Sequence, residues 1–282
     1  MAPRIEVSAE FLKTLNSKDY TLIDNLETPA EQVADLDRKN WIVIPKEFTN
    51  GKYKAFVDPA RLAYNSAVEK AGKILGLNFQ NSSKDSLGRQ FVGNNNWFQS
   101  LRLNRVLGNS TPTMSKFNDF GRLLYQGMKG EIKVYDFSGN QLEPNFLEQI
   151  FDDIYGVKNP WRGESIDADF KTGNNGLYIH QNHLFDQEGN IIKFDSEVLD
   201  KNTLMKDRTP GINLESWLKN PTPQGFPQKD VEKGSLYYGY PKSDNNSVAR
   251  VYASSGWAYF DYGMCPSYWN PDIGVRGLLL AK

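Results

Sequence analysis

Ser247-Val-Ala-Arg-Val-Tyr-Ala-Ser-Ser-Gly-Trp-Ala-Tyr-Phe-Asp-Tyr-Gly-Met-Cys-Pro-Ser-Tyr-Trp-Asn-Pro-Asp-Ile-Gly-Val-Arg-Gly277 is the stretch on which the reading of this chain turns. Tyr252, Trp257, Tyr259, Phe260, Tyr262, Tyr268 and Trp269 crowd there among Ala, Ser, Gly, Asp and Asn. Tyrosine offers a large, rigid contact area at small entropic cost, and small polar residues adapt around it, so this mixture is the chemistry of a recognition surface. A plain half-buried strand would alternate apolar and polar residues and then stop. This segment does neither over its whole length. The expectation is a binding face built near the C-terminal end of the sequence.

Working outward, residues 159–246 predict short strands and turns. Gly176-Leu-Tyr-Ile-His180 and Ile191-Ile-Lys-Phe194 are strand candidates, with Asp186-Gln-Glu-Gly189 as a turn, and 210–233, rich in Pro and Gly, reads as a long ordered loop or insertion. Further upstream the period becomes helical. Pro144 opens a helix over 144–155 with Phe146, Leu147, Ile150, Phe151 and Ile154 inward and Gly156 as its stop, and a second runs over 113–128 with Met114, Phe117, Phe120, Leu123 and Leu124 as its stripe. Asp58-Pro59 reads as the cap and first residue of another helix, carrying Leu62, Ala67, Ala71 and Ile74 to Gly76. Trp41-Ile-Val-Ile-Pro45 predicts a strand. Residues 1–40 read as a polar N-terminal arm or cap with some helix, and 41–282 as one α+β domain, with its recognition-like region at about 247–277.

Bulk properties exclude several classes. Among 282 residues, 33 Lys plus Arg face 34 Asp plus Glu, so no broad electrostatic footprint for nucleic acid exists. No apolar run approaches the roughly 18 residues of a membrane span, so no membrane insertion is expected. The first residues lack the apolar core of a secretion signal. One cysteine, Cys265, excludes an internal disulfide framework and any multi-cysteine metal site. No coiled-coil heptad argues for assembly, and a monomer is expected.

Residues with chemistry are few. His180 and His183 are the only histidines and sit three apart in strand and turn context, which reads as structural rather than metal-ligating. Cys265, beside Met264 and Pro266, reads as an unreactive loop residue. Asp152-Asp153 and Asp167-Ala-Asp169 are carboxylate pairs that suit calcium or acid–base work in principle; the first reads as the solvated side of a helix and the second as a turn cap. No catalytic residue, metal or cofactor is expected.

Three motifs resemble a known family. Lys46-Glu-Phe-Thr-Asn-Gly-Lys-Tyr-Lys-Ala-Phe-Val57 resembles the strand-to-helix entry of the formylglycine-generating-enzyme-like branch of the C-type lectin fold. Asn159-Pro-Trp-Arg-Gly-Glu-Ser-Ile-Asp-Ala-Asp-Phe170 is similar to a segment of the variable proteins of diversity-generating retroelements, and the close, Ile273-Gly-Val-Arg276, is similar to the strand that ends their variable region. The resemblance implies a C-type lectin-like fold with helices packed on short antiparallel strands and a variable loop near the C-terminus. It also suggests a variable protein of the kind carried by archaeal viruses, located in a virion or made in the host cytoplasm. The oxidase activity of the related branch needs a cysteine pair, which this chain lacks.

In that family adenine misreading turns AAC codons into any codon ending in C, which never encodes Lys, Glu, Gln, Met or Trp. Residues 243–281 contain no Lys, Glu or Gln. The implied ligand-binding, variable positions are Ala253, Ser255, Ala258, Tyr259, Asp261, Tyr262, Cys265, Ser267, Tyr268 and Asn270. Trp257, Met264 and Trp269 would be fixed framework, the two tryptophans as buried apolar posts. Ile273, Val275, Leu278 and Leu280 would alternate in an anchoring strand beside 41–44, helped by Gly274 and by Arg276 paired with Asp167 or Asp169. Exposed Tyr259, Tyr262 and Tyr268 would then supply most contact energy to a protein or glycan ligand on a cell surface. The competing readings are a carbohydrate-active hydrolase whose aromatics stack sugars, and a fixed structural virion or adhesin component.

Overall fold

The computed structural model describes residues 36–77, 84–242 and 246–281. Of the expected N-terminal arm, 1–35 lie outside the described residues. Ten strands and five helices alternate irregularly along the described chain: β1 (Ile42–Ile44), β2 (Lys54–Arg61), α1 (Ser66–Ile74), α2 (Trp97–Val106), α3 (Met114–Met128), α4 (Pro144–Tyr155), β3 (Arg162–Gly173), β4 (Gly176–Phe185), β5 (Ile191–Val198), β6 (Arg208–Ile212), α5 (Leu214–Lys219), β7 (Leu236–Gly239), β8 (Ser247–Ala253), β9 (Ala258–Met264) and β10 (Ile273–Ala281). All ten strands join one mixed sheet in the order β1-β2-β10-β3-β8-β9-β7-β6, with β4 branching from the far half of β3 and carrying β5. The arrangement is α+β.

The helices that the amphipathic stripes predict are present at 114–128 and 144–155. They pack together and against one sheet face, where Phe117, Phe120, Leu124, Ile150 and Ile154 meet Ile166, Phe170, Ala249, Val251 and Phe260 in the main core. α1 and α2 cover parts of the other face, with Val68 and Leu103 against Val275, and Trp97 and Leu101 against Val248. Asn65 caps α1 by accepting from the Val68 amide, and Asn96 and Gln99 form a reciprocal capping box on α2. No helix among the described residues is long and apolar enough to cross a membrane.

Several expectations are corrected. Asp58-Pro59 does not open a helix; both lie in β2, and the helix starts at Ser66. Pro59 is tolerated because the β10 ladder shifts register opposite it, between Arg276 and Leu278, so its missing N–H breaks no regular bond. The segment 46–57 is accordingly turn followed by strand. The sheet is not purely antiparallel: β10 runs parallel to β3, and β7 to β9. β10 lies between β2 and β3, while β1 is one strand further out, so 41–44 is not its direct neighbour. Nor does β10 alternate, for its first six residues are all buried, as suits a strand covered on both faces. The stretch 210–233 holds the end of β6 and all of α5.

Four arginines are almost completely buried: Arg61, Arg162, Arg250 and Arg276. Three of them have carboxylates. Asp153, expected on the solvated side of its helix, is fully buried and receives Arg61 at 2.5 Å and Arg162 at 3.2 Å. Arg276 pairs with Glu164 at 2.9 Å and donates to the Asp58 carbonyl at 2.7 Å, so neither Asp167 nor Asp169 is its partner. Burial opposes the Asp153 charge, but Arg61 and the Ser86 hydroxyl and amide hold its carboxyl well below the usual range.

Candidate functional site

The β8–β9 hairpin sorts the recognition-like stretch into two faces, because successive side chains on a strand point oppositely. Ala253, Ala258, Phe260 and Tyr262 turn into the main core. Tyr262, expected at the surface, is fully buried between Phe226 and Tyr238, and Ala253 and Ala258 are buried too. Tyr252, Tyr259 and Asp261 turn the other way and are partly exposed.

On that outer face four rings form a row across the sheet. Trp161, just before β3, lies 5.6 Å from Tyr252; Tyr252 stacks on Tyr259 at 5.1 Å; Tyr259 lies 6.4 Å from Tyr237 of β7. The ring planes of successive members differ by 35°, 28° and 32°, so the row is a continuous, gently turning platform. Cross-strand pairing sets it, since Tyr252 faces Tyr259 and Tyr237 faces Tyr259 in register. Trp257, at the hairpin tip, stands edge-on to Tyr252 at 5.4 Å. Gly239 makes room for this: a Cβ there would come within 2.5 Å of the Tyr259 hydroxyl.

Trp257 and Trp269 are not buried posts. They are 37% and 61% exposed and belong to the surface itself. Their neighbours explain this: Gly256 and Ser255 leave the hairpin tip without a covering element, and the loop 265–272 holds Trp269 outward between Tyr268 and Asn270. Tyr268 is 42% exposed and Ser255 and Ser267 are exposed, while Cys265, Asn270 and framework Met264 are partly so. Ile273, Gly274 and Arg276 are buried in β10. The loop is tied internally, with Cys265 Sγ 3.0 Å from the Ser267 hydroxyl and the Asp272 amide donating to Asn270 Oδ1 at 2.8 Å. The Ser267 hydroxyl draws the Cys265 thiol below its ordinary value.

Polar chemistry on this face centres on Asp261 and Arg250. The Asp261 carboxylate accepts from the Tyr252 hydroxyl at 3.2 Å and the Gly263 amide at 2.8 Å. Burial nevertheless pushes it above the usual carboxylate range, and pushes Tyr259 up to about 12. Arg250 lies beneath the loop, where Nη2 donates to the Tyr268 carbonyl at 2.8 Å and the guanidinium sits 5.6 Å from the Tyr268 ring. Among the described residues its Nε and Nη1 find no hydrogen-bond partner, and neither does the hydroxyl of Ser165, its opposite number on β3. Burial pulls the Arg250 guanidinium down to about 10. Among the four buried arginines, it alone makes no ion pair with a described residue.

The sequence reading misses the histidine cluster beside this face. His183 is 1% exposed, with Nδ1 2.5 Å from Asp167 and Nε2 3.1 Å from Asp169. Asp167-Ala-Asp169 is therefore a clamp rather than a turn cap, and the two-residue spacing that aims both carboxylates one way was its only sequence signal. Trp97 stands edge-on to the His183 ring at 5.1 Å, and His180 stacks on Phe194 at 4.2 Å. Burial alone would lower His183, but the two carboxylates outweigh it and raise the imidazole to about 9. No group of three or more such side chains suited to a metal ion occurs among the described residues.

Compared with family models, with curated proteins and with solved structures, the chain matches none.

Proposed function

We propose that this chain is a non-enzymatic binding protein that presents the β8–β9 hairpin and the loop 265–272 to a macromolecular ligand. The row Trp161–Tyr252–Tyr259–Tyr237, flanked by Trp257, carries the reading: partly exposed rings held in place by their neighbours across the sheet are low-entropy anchors. Aromatic rings that served only to fill a core would be covered, as Phe260 and Tyr262 are on the inner face.

On this reading the protein is a variable protein of the diversity-generating-retroelement kind, built on a C-type lectin-like fold. Two observations support it. The end of the recognition stretch is held in the sheet by β10, between β2 and β3, so change in the loop is isolated from the core. Seven of the implied variable residues, Ser255, Tyr259, Asp261, Cys265, Ser267, Tyr268 and Asn270, reach solvent. Ala253, Ala258 and Tyr262 do not, and they drop out of the display set.

The test is sequencing of the gene and its flanking DNA across a natural population. Substitutions should concentrate at the seven solvent-reaching positions, spare Ala253, Ala258 and Tyr262, and map to adenines in a nearby template copy. An invariant 3′ end with no template copy would overturn the retroelement reading. A carbohydrate-active reading draws on one observation, the raised Asp261 carboxyl beside stacking rings. It requires turnover of an oligosaccharide that Asp261→Asn abolishes.

A further inference from the structure

An open sheet leaves edge strands, and β1, β6 and β5 are the edges of this one. Two of the three are blunted. The β1 edge is covered by the segment 135–137, where the Val43 amide donates to the Tyr135 carbonyl at 2.9 Å and the Phe137 amide to the Trp41 carbonyl at 2.7 Å. β6 carries Pro210 and a register shift between Arg208 and Ile212, both of which discourage further pairing. β5 has neither cover nor proline. Among the described residues it pairs only with β4, and all eight of its residues are exposed. Its register against β4 shifts on the side of Ile191 and Lys193, leaving 195–198 regular.

The chemistry of that edge suits another strand. Ile191, Ile192, Phe194 and Val198 are large apolar residues left in water, Ile192 at 52% exposure and Phe194 at 41%. Phe194 is held ready by stacking on His180 at 4.2 Å. Lys193 and Asp195, two apart, turn to the opposite side of the strand from Phe194, where both line one concave surface. Backbone direction follows from the ladder. The Leu199 amide donates to the Leu177 carbonyl at 2.8 Å, and antiparallel bonds alternate between neighbouring residues. Glu197 and Asp195 therefore turn their N–H and C=O groups inward to β4, while Val198, Ser196 and Phe194 turn theirs outward.

We propose that β5 is a self-association edge, on which a second copy of this chain adds its own β5 antiparallel about a two-fold axis through Phe194. Outward backbone groups must meet outward ones, so only registers that set even-numbered residues against even-numbered ones form a ladder. Centred on Phe194, Lys193 of each copy faces Asp195 of the other, twice over, and the two Phe194 rings become cross-strand neighbours. Ile192 then faces Ser196. Moving the centre to Asp195 sets two carboxylates against each other, and moving it to Lys193 sets two ammonium groups together. Charge thus selects both the partner and the register. A two-fold pairing uses the one open edge of each copy and closes at a dimer. The edge shares no residue with the aromatic face, and the inference does not rest on that face's function.

Sedimentation equilibrium of the full chain over a range of concentrations tests this. The native chain should show a monomer–dimer equilibrium, a weak one because a single strand edge buries less than a standard interface. Lys193→Glu alone and Asp195→Lys alone should each weaken the dimer roughly tenfold, since the two-fold axis turns two attractive pairs into two repulsive ones. An equimolar mixture of those two variants should recover it, because the charges are again opposite across the axis. Ser196→Pro removes an outward amide and spares the β4 ladder; it should abolish association while the far-ultraviolet circular dichroism stays native. The proposal is overturned if the native chain is monomeric up to about 1 mM, where even millimolar association would register. It is equally overturned if assembly runs beyond a dimer, if the folded Ser196→Pro variant still dimerises, or if the mixture fails to recover the dimer.

Discussion

His183 makes the stability of this protein depend on pH in a direction opposite to that of an ordinary buried histidine. Both ring nitrogens face carboxylates, so the imidazolium satisfies the site and the neutral ring does not. The unfolded value is near 6.5 and the folded value about 9. At about 1.4 kcal/mol for each pH unit between them, the imidazolium contributes about 3 kcal/mol. Because the folded value is the higher, that stability is fully present below about pH 6.5, declines as pH rises, and is gone above about pH 9. The perturbation is His183→Gln, and the assay is urea unfolding of both chains at intervals from about pH 6 to about pH 10. The other titratable groups around the ring, Asp167, Asp169, His180 and Lys116, remain in both chains, so the difference between the profiles isolates His183. The difference should shrink by about 3 kcal/mol across the window. Parallel profiles would refute the reasoning.

The remaining predictions concern the buried ions and the surface tryptophans. Asp153→Asn leaves Arg162 without its ion-pair partner and Arg61 with only Glu164 at 4.0 Å in a fully buried site, and equilibrium unfolding should show a loss of about 3–5 kcal/mol. Arg250→Met, which removes a buried guanidinium that has no carboxylate, should be neutral or stabilising in the same assay, whereas Arg162→Met should be strongly destabilising. Trp257→Ala and Trp269→Ala should each cost less than about 1 kcal/mol because both rings are exposed. Trp217→Ala in the core should cost about 3–5 kcal/mol. Gly239→Ala should displace the Tyr259 ring and change the near-ultraviolet circular dichroism of the aromatic row while leaving the helical signal intact.

The parts of the fold legible in the sequence are those set by local periodicity. The stripes of α3 and α4 repeat over four turns and three turns, and no other arrangement buries them, so their bounds emerge almost to the residue. Asp58-Pro59 misleads because a cap signal and a strand irregularity use the same dipeptide, and only the partner strand, more than two hundred residues away, decides between them. The ion pairs are hidden too: Arg61 lies 92 residues from Asp153, and Arg162, only nine residues on, meets it across the turn from α4 into β3 rather than along a helix or strand. In the recognition stretch, composition reveals that a surface is present, yet which side of β8 and β9 meets water depends on where α3 and α4 dock. Tyr262 and Tyr259, three residues apart, consequently have opposite fates. The resemblance places Trp257 and Trp269 inside as framework because their codons cannot arise from adenine misreading; the hairpin tip and the loop 265–272 instead carry them at the surface.

The position of β10 has a consequence for synthesis. Strands β2 and β3 emerge from the ribosome long before the strand that joins them, and until β10 arrives each presents an unpaired edge. A truncated chain that stops anywhere in 247–272 keeps its helices but leaves those edges open, and it should be cleared by proteases or aggregate rather than persist as a partly working product. Any process that rewrites the recognition stretch is thereby screened at once: only a reading frame that runs through the hairpin and the loop yields the strand that closes the sheet.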